Sequence, residues 1–124
     1  MRSLSYLEIK NSKKVLILGT EEYMFVPMML ASVLKEKNPD IVVKNHATTR
    51  SPIMVSNDRG YPLKNRAILE SCYEKSRKTY LYNLEDYDLC VIMSDSIEDL
   101  ESYSDIISAV NEYGCCRFYI LGKE

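Results

Sequence analysis

At 124 residues the chain has the length of one ordinary domain, and its 46% apolar and 27% charged residues match globular averages; disordered and fibrous classes are excluded, and one domain over residues 1–124 is expected. The formal net charge of −2 and the dispersed basic residues argue against a nucleic-acid surface, and no apolar run approaches the roughly 20 residues of a membrane helix, so neither nucleic acid nor membrane is an expected partner. The N-terminal MRSLSYLEIKNSKK carries charge throughout and lacks an apolar stretch of signal-peptide length, which makes the cytoplasm the expected compartment.

KKVLILGT is a short apolar run ending at Gly19, the pattern of a strand buried on both faces that hands over to a turn. EEYMFVPMMLASVLKEKNPD follows, with Phe25, Met28, Met29 and Val33 at helical spacing and acids at its start, which predicts a helix from near Thr20 or Glu21 to Asn38 and Pro39. Pro27 either kinks this helix or marks its true first turn. DIVVKNHA is a second strand, and NDRGYP supplies turn residues. From Leu63 to Ser76 the positions of Leu63, Ala67, Ile68 and Cys72 favour a helix, although AILES also fits a short strand. KTYLYN and YDLCVIMSD read as strands three and four. The last helix is introduced by Ser96 and Asp99 at capping-box spacing. It carries an apolar stripe of Ile97, Leu100, Tyr103, Ile106, Ile107, Val110 and Tyr113, and Gly114 suits its end. CCRFYILGK gives a final strand. Strands alternating with helices predict an α/β fold, a compact Rossmann-like three-layer domain with a mainly parallel sheet of about five strands.

The four cysteines, at 72, 90, 115 and 116, form no C-x-x-C pair and His46 is the single histidine, so no metal site is expected and the cysteines read as small buried hydrophobes. Charge is distributed unevenly: residues 44–78 hold eight basic and three acidic residues, whereas residues 84–112 hold nine acids and no base. Two solvated faces of opposite sign would explain this; so would focusing of an anionic ligand on the middle segment.

In open α/β sheets ligands bind beyond the C-terminal ends of the strands. The segments at those positions are polar: Thr20 and Glu21 with Glu22, then Thr48, Thr49, Arg50 and Ser51, then Tyr82 and Asn83, then Asp95 between Ser94 and Ser96. Arg50 offers a donor fork that matches carboxylate or phosphate, and the neighbouring hydroxyls complete an oxyanion grip; the alternative is an ordinary turn in which Arg50 pairs with an acid such as Asp95. Glu21 and Glu22 suit general bases or ribose-hydroxyl acceptors, or simply partners of the helix dipole. Tyr80 and Tyr82 share one strand face, for stacking on a ring or for packing, and His46 reads as structural at a strand end. Neither G-x-G-x-x-G nor G-x-x-x-x-G-K-[ST] is present, and no serine, cysteine or lysine has a nucleophile context, so no nucleotide cofactor is expected and the catalytic residues stay unknown.

LGTEEYMFVPMMLA, ATTRSPI, YPLKNR and RKTYLYNLEDYDLCVIMSD, taken in order from Val15 to Asp95, resemble the TRSP domain, whose signature here is Thr49, Arg50, Ser51 and Pro52. The resemblance implies a module C-terminal to an orotate phosphoribosyltransferase-like domain, in bacterial tellurium-resistance and stress gene neighbourhoods, that takes part in making a nucleoside-like metabolite. It also bears on catalysis. A phosphoribosyl diphosphate site of that family type follows a strand with two acids and a Thr/Gly loop; here LCVIMSDSIEDLES keeps Asp95 but continues with Glu98, Asp99 and Glu101 and no glycine, charges that repel phosphate. The chain is therefore not expected to be the transferase itself and is at most an accessory catalytic domain. Two readings follow: a domain holding a phosphorylated or carboxylated nucleoside-like ligand at the Thr-Thr-Arg-Ser loop, or a non-catalytic module that docks on the transferase through its acidic helix or exposed tyrosines.

Overall fold

A computed structural model describes residues 9, 11–49, 65–74, 76–95, 100–115 and 117–122. Its centre is a four-stranded, all-parallel sheet in the order β2–β1–β5–β6, made of β1 (Lys14–Gly19), β2 (Val42–Ala47), β5 (Leu89–Ser94) and β6 (Phe118–Gly122). β1 and β5 are buried along almost their whole length, as strands covered on both faces must be. Side chains alternate between two cores. Val15, Ile17, Val43, Val91 and Met93 pack under helix α1 (Phe25–Lys37), whereas Leu16, Leu18, Cys90, Ile92 and Ile120 pack on the opposite face.

That opposite face is covered by helix α2 (Ser104–Asn111), through Ile106, Ala109 and Val110, and by an antiparallel hairpin of β3 (Arg66–Glu70) and β4 (Lys78–Tyr82), through Leu69 and Leu81. The α/β three-layer expectation holds, with four strands in the parallel sheet and two in the hairpin. Residues 66–70 are a strand, so the helix predicted over 63–76 is corrected within its described part. Leu69 faces the core there and Ile68 faces solvent, the period-two alternation of a ladder.

Two features of the predicted helices are also corrected. α1 starts at Phe25, not near Thr20, because Glu21 has φ +56°, a left-handed conformation that a helix cannot continue through. Pro27 thereby falls in the first turn, where its missing N–H breaks no bond, and Glu21 and Glu22 lie outside the helix, which has no acid in its first turn. The buried face of α1 is Pro27, Ala31 and Leu34; the expected stripe of Phe25, Met28, Met29 and Val33 stands in solvent. At the other end of the chain, a 3-10 turn (Leu100–Tyr103) leads into α2. Tyr103, Ile106 and Val110 are buried there and Ile107 packs beside them, but Leu100 and Tyr113 lie outside the α-helical span and are exposed. Gly114, at φ +109°, takes the left-handed turn that closes the element. Ser96, Ile97 and Asp99 lie outside the described residues, as do Leu63, Cys116 and the NDRGYP turn. Cys72, Cys90 and Cys115 are buried within the core on the hairpin side. No helix among the described residues is long and apolar enough to cross a membrane.

Candidate functional site

Chain leaves the border of β1 and β5 in opposite directions, from β1 through α1 to β2 and from β5 through α2 to β6, with the two helices on opposite faces. The crevice beyond their C-terminal ends is thus the topological switch point, where α/β sheets place their ligands. Thr20, Glu21, Glu22 and Tyr23 after β1, Asp95 after β5, and Tyr73 and Arg77 from the β3–β4 turn line a cavity of about 370 Å³ at this place.

Its walls are cross-linked by polar contacts between segments distant in sequence. The Glu21 side chain is buried: Arg77 Nη2 stands 2.8 Å from one carboxylate oxygen, and Ser71 Oγ donates to the other at 2.7 Å. The backbone N–H of Glu21 donates to Thr48 Oγ1 at 2.9 Å, which fixes the left-handed turn against the end of β2. Tyr73 Oη is a second hub. It is hydrogen-bonded to Thr20 Oγ1 and to Ser94 Oγ, and it accepts the N–H of Asp95 at 2.7 Å. Thr20 also binds Met93 O through both its N–H (3.1 Å) and its hydroxyl (3.0 Å), so the ends of β1 and β5 and the hairpin turn form one unit.

Three carboxylates, of Glu21, Glu22 and Asp95, face this cavity against one guanidinium, and Arg77 already serves both Glu21 and Glu74. The described walls therefore suit hydroxyl or cationic groups better than phosphate. Replacing Tyr73 by phenylalanine removes the hub and is expected to cost about 1–2 kcal/mol, because three polar groups lose a shared partner and only some regain water. Denaturant unfolding of Tyr73→Phe beside the native chain measures this; an unchanged midpoint would mean that the hub carries nothing.

Thr20, Glu21 and Asp95 line the cavity, and Thr48 stands one step behind Glu21. Thr49 exchanges both backbone hydrogen bonds with Tyr80, which joins the chain after β2 to the hairpin. Arg50 and Ser51 lie outside the described residues. Tyr82 and Asn83 were expected on the same crest as strand-end residues of a sheet strand. β4 instead belongs to the hairpin, and Tyr82 pairs with Arg66 while the Asn83 N–H donates to Asn65 O, four ladder positions from the turn that reaches the cavity. His46 pairs with Leu18 across the ladder and does not line the cavity; burial holds its imidazole below its ordinary pKa.

Ser71, Tyr73 and Arg77 escaped the sequence reading because they sit in a turn that a helix over 63–76 conceals. The available signal was a serine-bounded stretch, SCYEKSRK, between the β-prone AIL and TYLY. Ser76, at φ +74°, is one of its turn residues.

The architecture is that of phosphoribosyltransferases. A hypoxanthine phosphoribosyltransferase from Staphylococcus aureus superposes with a TM-score of 0.51 at 10% identity, over 94% of this chain and 54% of that one. An adenine phosphoribosyltransferase from Rhodothermus marinus superposes with a TM-score of 0.50 at 14% identity, over 92% of this chain and 58% of that one. Identities this low speak for the fold alone, and the chain spans little more than half the length of either transferase. No curated protein matches the sequence. The family described as "TRSP domain C terminus to PRTase_2" matches residues 2–110, which takes in both crossing points of the cavity, the Thr-Arg-Ser-Pro signature and the hairpin. On that match, and with a fold shared with phosphoribosyltransferases, the chain belongs to the TRSP domain family, whose description associates it with a phosphoribosyltransferase domain.

Proposed function

We propose that this TRSP domain is an accessory module of a phosphoribosyltransferase that holds a phosphorylated, nucleoside-like small molecule during the making of a nucleoside-like metabolite. Ribose hydroxyls would lie in the switch-point cavity, and the anionic end on the segment from Thr48 to Ser51. The carrying observation is the bond from the Glu21 N–H to Thr48 Oγ1, which ties the cavity wall to a residue only two positions before Arg50.

The chemistry divides accordingly. Glu22 and Asp95 supply acceptors for vicinal hydroxyls, the contact that acidic residues make with ribose in other α/β nucleotide sites. Glu21 and Arg77 neutralise each other and hold the wall. The anionic end needs a cation, and Arg50 is the nearest in sequence to Thr48 and Thr49, with a fork that fits phosphate oxygens.

Calorimetric titration with ribose 5-phosphate and with a nucleoside 5′-monophosphate tests this on the native chain, Arg50→Ala and Asp95→Asn. Loss of a charge-assisted contact is expected to weaken Arg50→Ala about tenfold or more for the phosphorylated ligands. Asp95→Asn is expected to weaken them less, and to the same degree for unphosphorylated ribose. Equal affinity of the native chain and Arg50→Ala for ribose 5-phosphate would remove the anion site.

A further inference from the structure

Of the ten large apolar side chains that stand exposed among the described residues, six lie between Met24 and Val33. Phe25 (67% exposed), Met29 (49%) and Val33 (43%) follow one another at intervals of four, so they form one ridge along the side of α1 that faces away from Pro27, Ala31 and Leu34. A surface helix of a free-standing domain carries charge on that side. α1 carries it only in its last turn, at Lys35, Glu36 and Lys37. Scattered exposed apolar residues mean little, but a contiguous apolar strip on one helix marks an interaction surface. Its three methionines, Met24, Met28 and Met29, add the adaptable side chains that docking helices use.

We infer that this ridge is the seat of the phosphoribosyltransferase domain with which the family is associated. Three observations choose that occupant. The family is described as C-terminal to the transferase domain, so in that arrangement the partner is reached through the N-terminal direction of the chain. Ile9, the first of the described residues, is buried with Ala31 and Leu34 in the core beneath α1, the helix that bears the ridge. The ridge also begins at Met24, next to Glu22 and Tyr23 of the cavity wall, so a domain seated on it borders the switch-point cavity and can pass a ligand across. The acidic helix is the weaker surface: α2 buries its apolar residues and turns Ser104, Asp105, Asn111 and Glu112 outward. The tyrosines offer less: Tyr82, Tyr87, Tyr103 and Tyr119 are in the core, and Tyr113 is the single exposed one among the described residues.

The inference rests on the partnership with the transferase domain and is independent of what the cavity binds. The test uses a PRTase_2-type phosphoribosyltransferase domain from the same organism, produced as a separate protein. It is titrated against the full native chain, Phe25→Glu/Met29→Glu, Val33→Lys and Leu100→Glu, with sedimentation velocity to give stoichiometry. A one-to-one complex is expected for the native chain. The double variant is expected to bind at least about 100-fold more weakly, since exposed anchors of this size are interface hot spots. Val33→Lys should weaken binding in the same direction, and Leu100→Glu, an apolar residue 70% exposed elsewhere, should leave it unchanged. Substitutions at exposed positions should leave the thermal melt and the ribose 5-phosphate titration as in the native chain. Equal binding by the native chain and the double variant, or an equal loss in Leu100→Glu, overturns the surface assigned here while leaving the partnership standing. A native chain that ignores the transferase but forms dimers dispersed by the double variant overturns the occupant in favour of a second copy. A native chain that binds neither refutes the association itself, whatever the ligand titration shows.

Discussion

Arg77→Met is expected to destabilise the fold by about 3–5 kcal/mol, the cost of leaving a buried carboxylate without its counter-ion. The Glu21 side chain is only 3% exposed, and its two oxygens are held by Arg77 and Ser71. With the guanidinium gone, the neutral Ser71 hydroxyl cannot offset the desolvation of a full charge. Arg77 has a second carboxylate neighbour in Glu74, at 2.6 Å, but that side chain is 63% exposed, and surface pairs of this kind contribute about 0–1 kcal/mol. Three variants therefore separate the two contacts. Arg77→Met should lower the melting temperature by roughly 10–20 °C, Glu74→Gln should move it little, and Glu21→Gln/Arg77→Met should recover most of the loss, because an amide carries no charge to strand. If Arg77→Met and Glu74→Gln proved equally mild, the pair would be a surface contact and the cavity wall would lack its fastener.

The parallel sheet was legible because its two central strands are largely apolar runs bounded by polar turns. VLIL and LCVIM are strands buried from both sides, and DIVVK pairs beside them at the sheet edge, with Val43 buried and Val42 exposed. Once the sheet is parallel, the general position of ligand crevices picks out Thr20, Glu21, Thr48 and Asp95 without any contact being known. The hairpin was not legible for a reason of period. Leu63, Ala67, Ile68 and Cys72 satisfy a helical spacing, and the ladder alternation is carried by a strand of five residues, too short for periodicity to decide. Tyr82 and Asn83 were drawn to the crest by the same error, since a strand placed in the parallel sheet must end where its neighbours end. Half of the cavity's polar hub, Ser71, Tyr73 and Arg77, arrives on the turn that the misread segment forms.

The inverted face of α1 has a different origin. Its first two turns are apolar nearly all round, so the spacing of Phe25, Met28, Met29 and Val33 was as consistent with a core-facing stripe as that of Pro27, Ala31 and Leu34. Sequence periodicity locates an apolar face only when the opposite face is polar. Where it is not, periodicity leaves two candidate faces, and the one that stands exposed here lies beside the cavity.

Gly19→Ala is expected to cost toward the upper end of the roughly 1–3 kcal/mol typical of overpacking, and to do so without any special backbone angle being involved. A Cβ at Gly19 would stand 2.6 Å from Tyr23 O and 3.2 Å from Pro27 Cγ. The first atom is backbone and cannot rotate away; it belongs to a turn closed by the Tyr23 N–H donating to Thr20 O at 3.1 Å. The turn must therefore move as a piece, taking Glu22, Tyr23 and the start of α1 away from the end of β1. Gly114→Ala is the counterpart: it faces φ +109° but open space, so it meets backbone strain of about 1–2 kcal/mol and no collision. Urea unfolding should rank Gly19→Ala as the more damaging change. Affinity for ribose 5-phosphate should fall in Gly19→Ala alone, because only that substitution displaces the cavity wall. The opposite ranking would mean that the turn yields easily, and that the close approach of β1 to the chain preceding α1 plays no part in shaping the site.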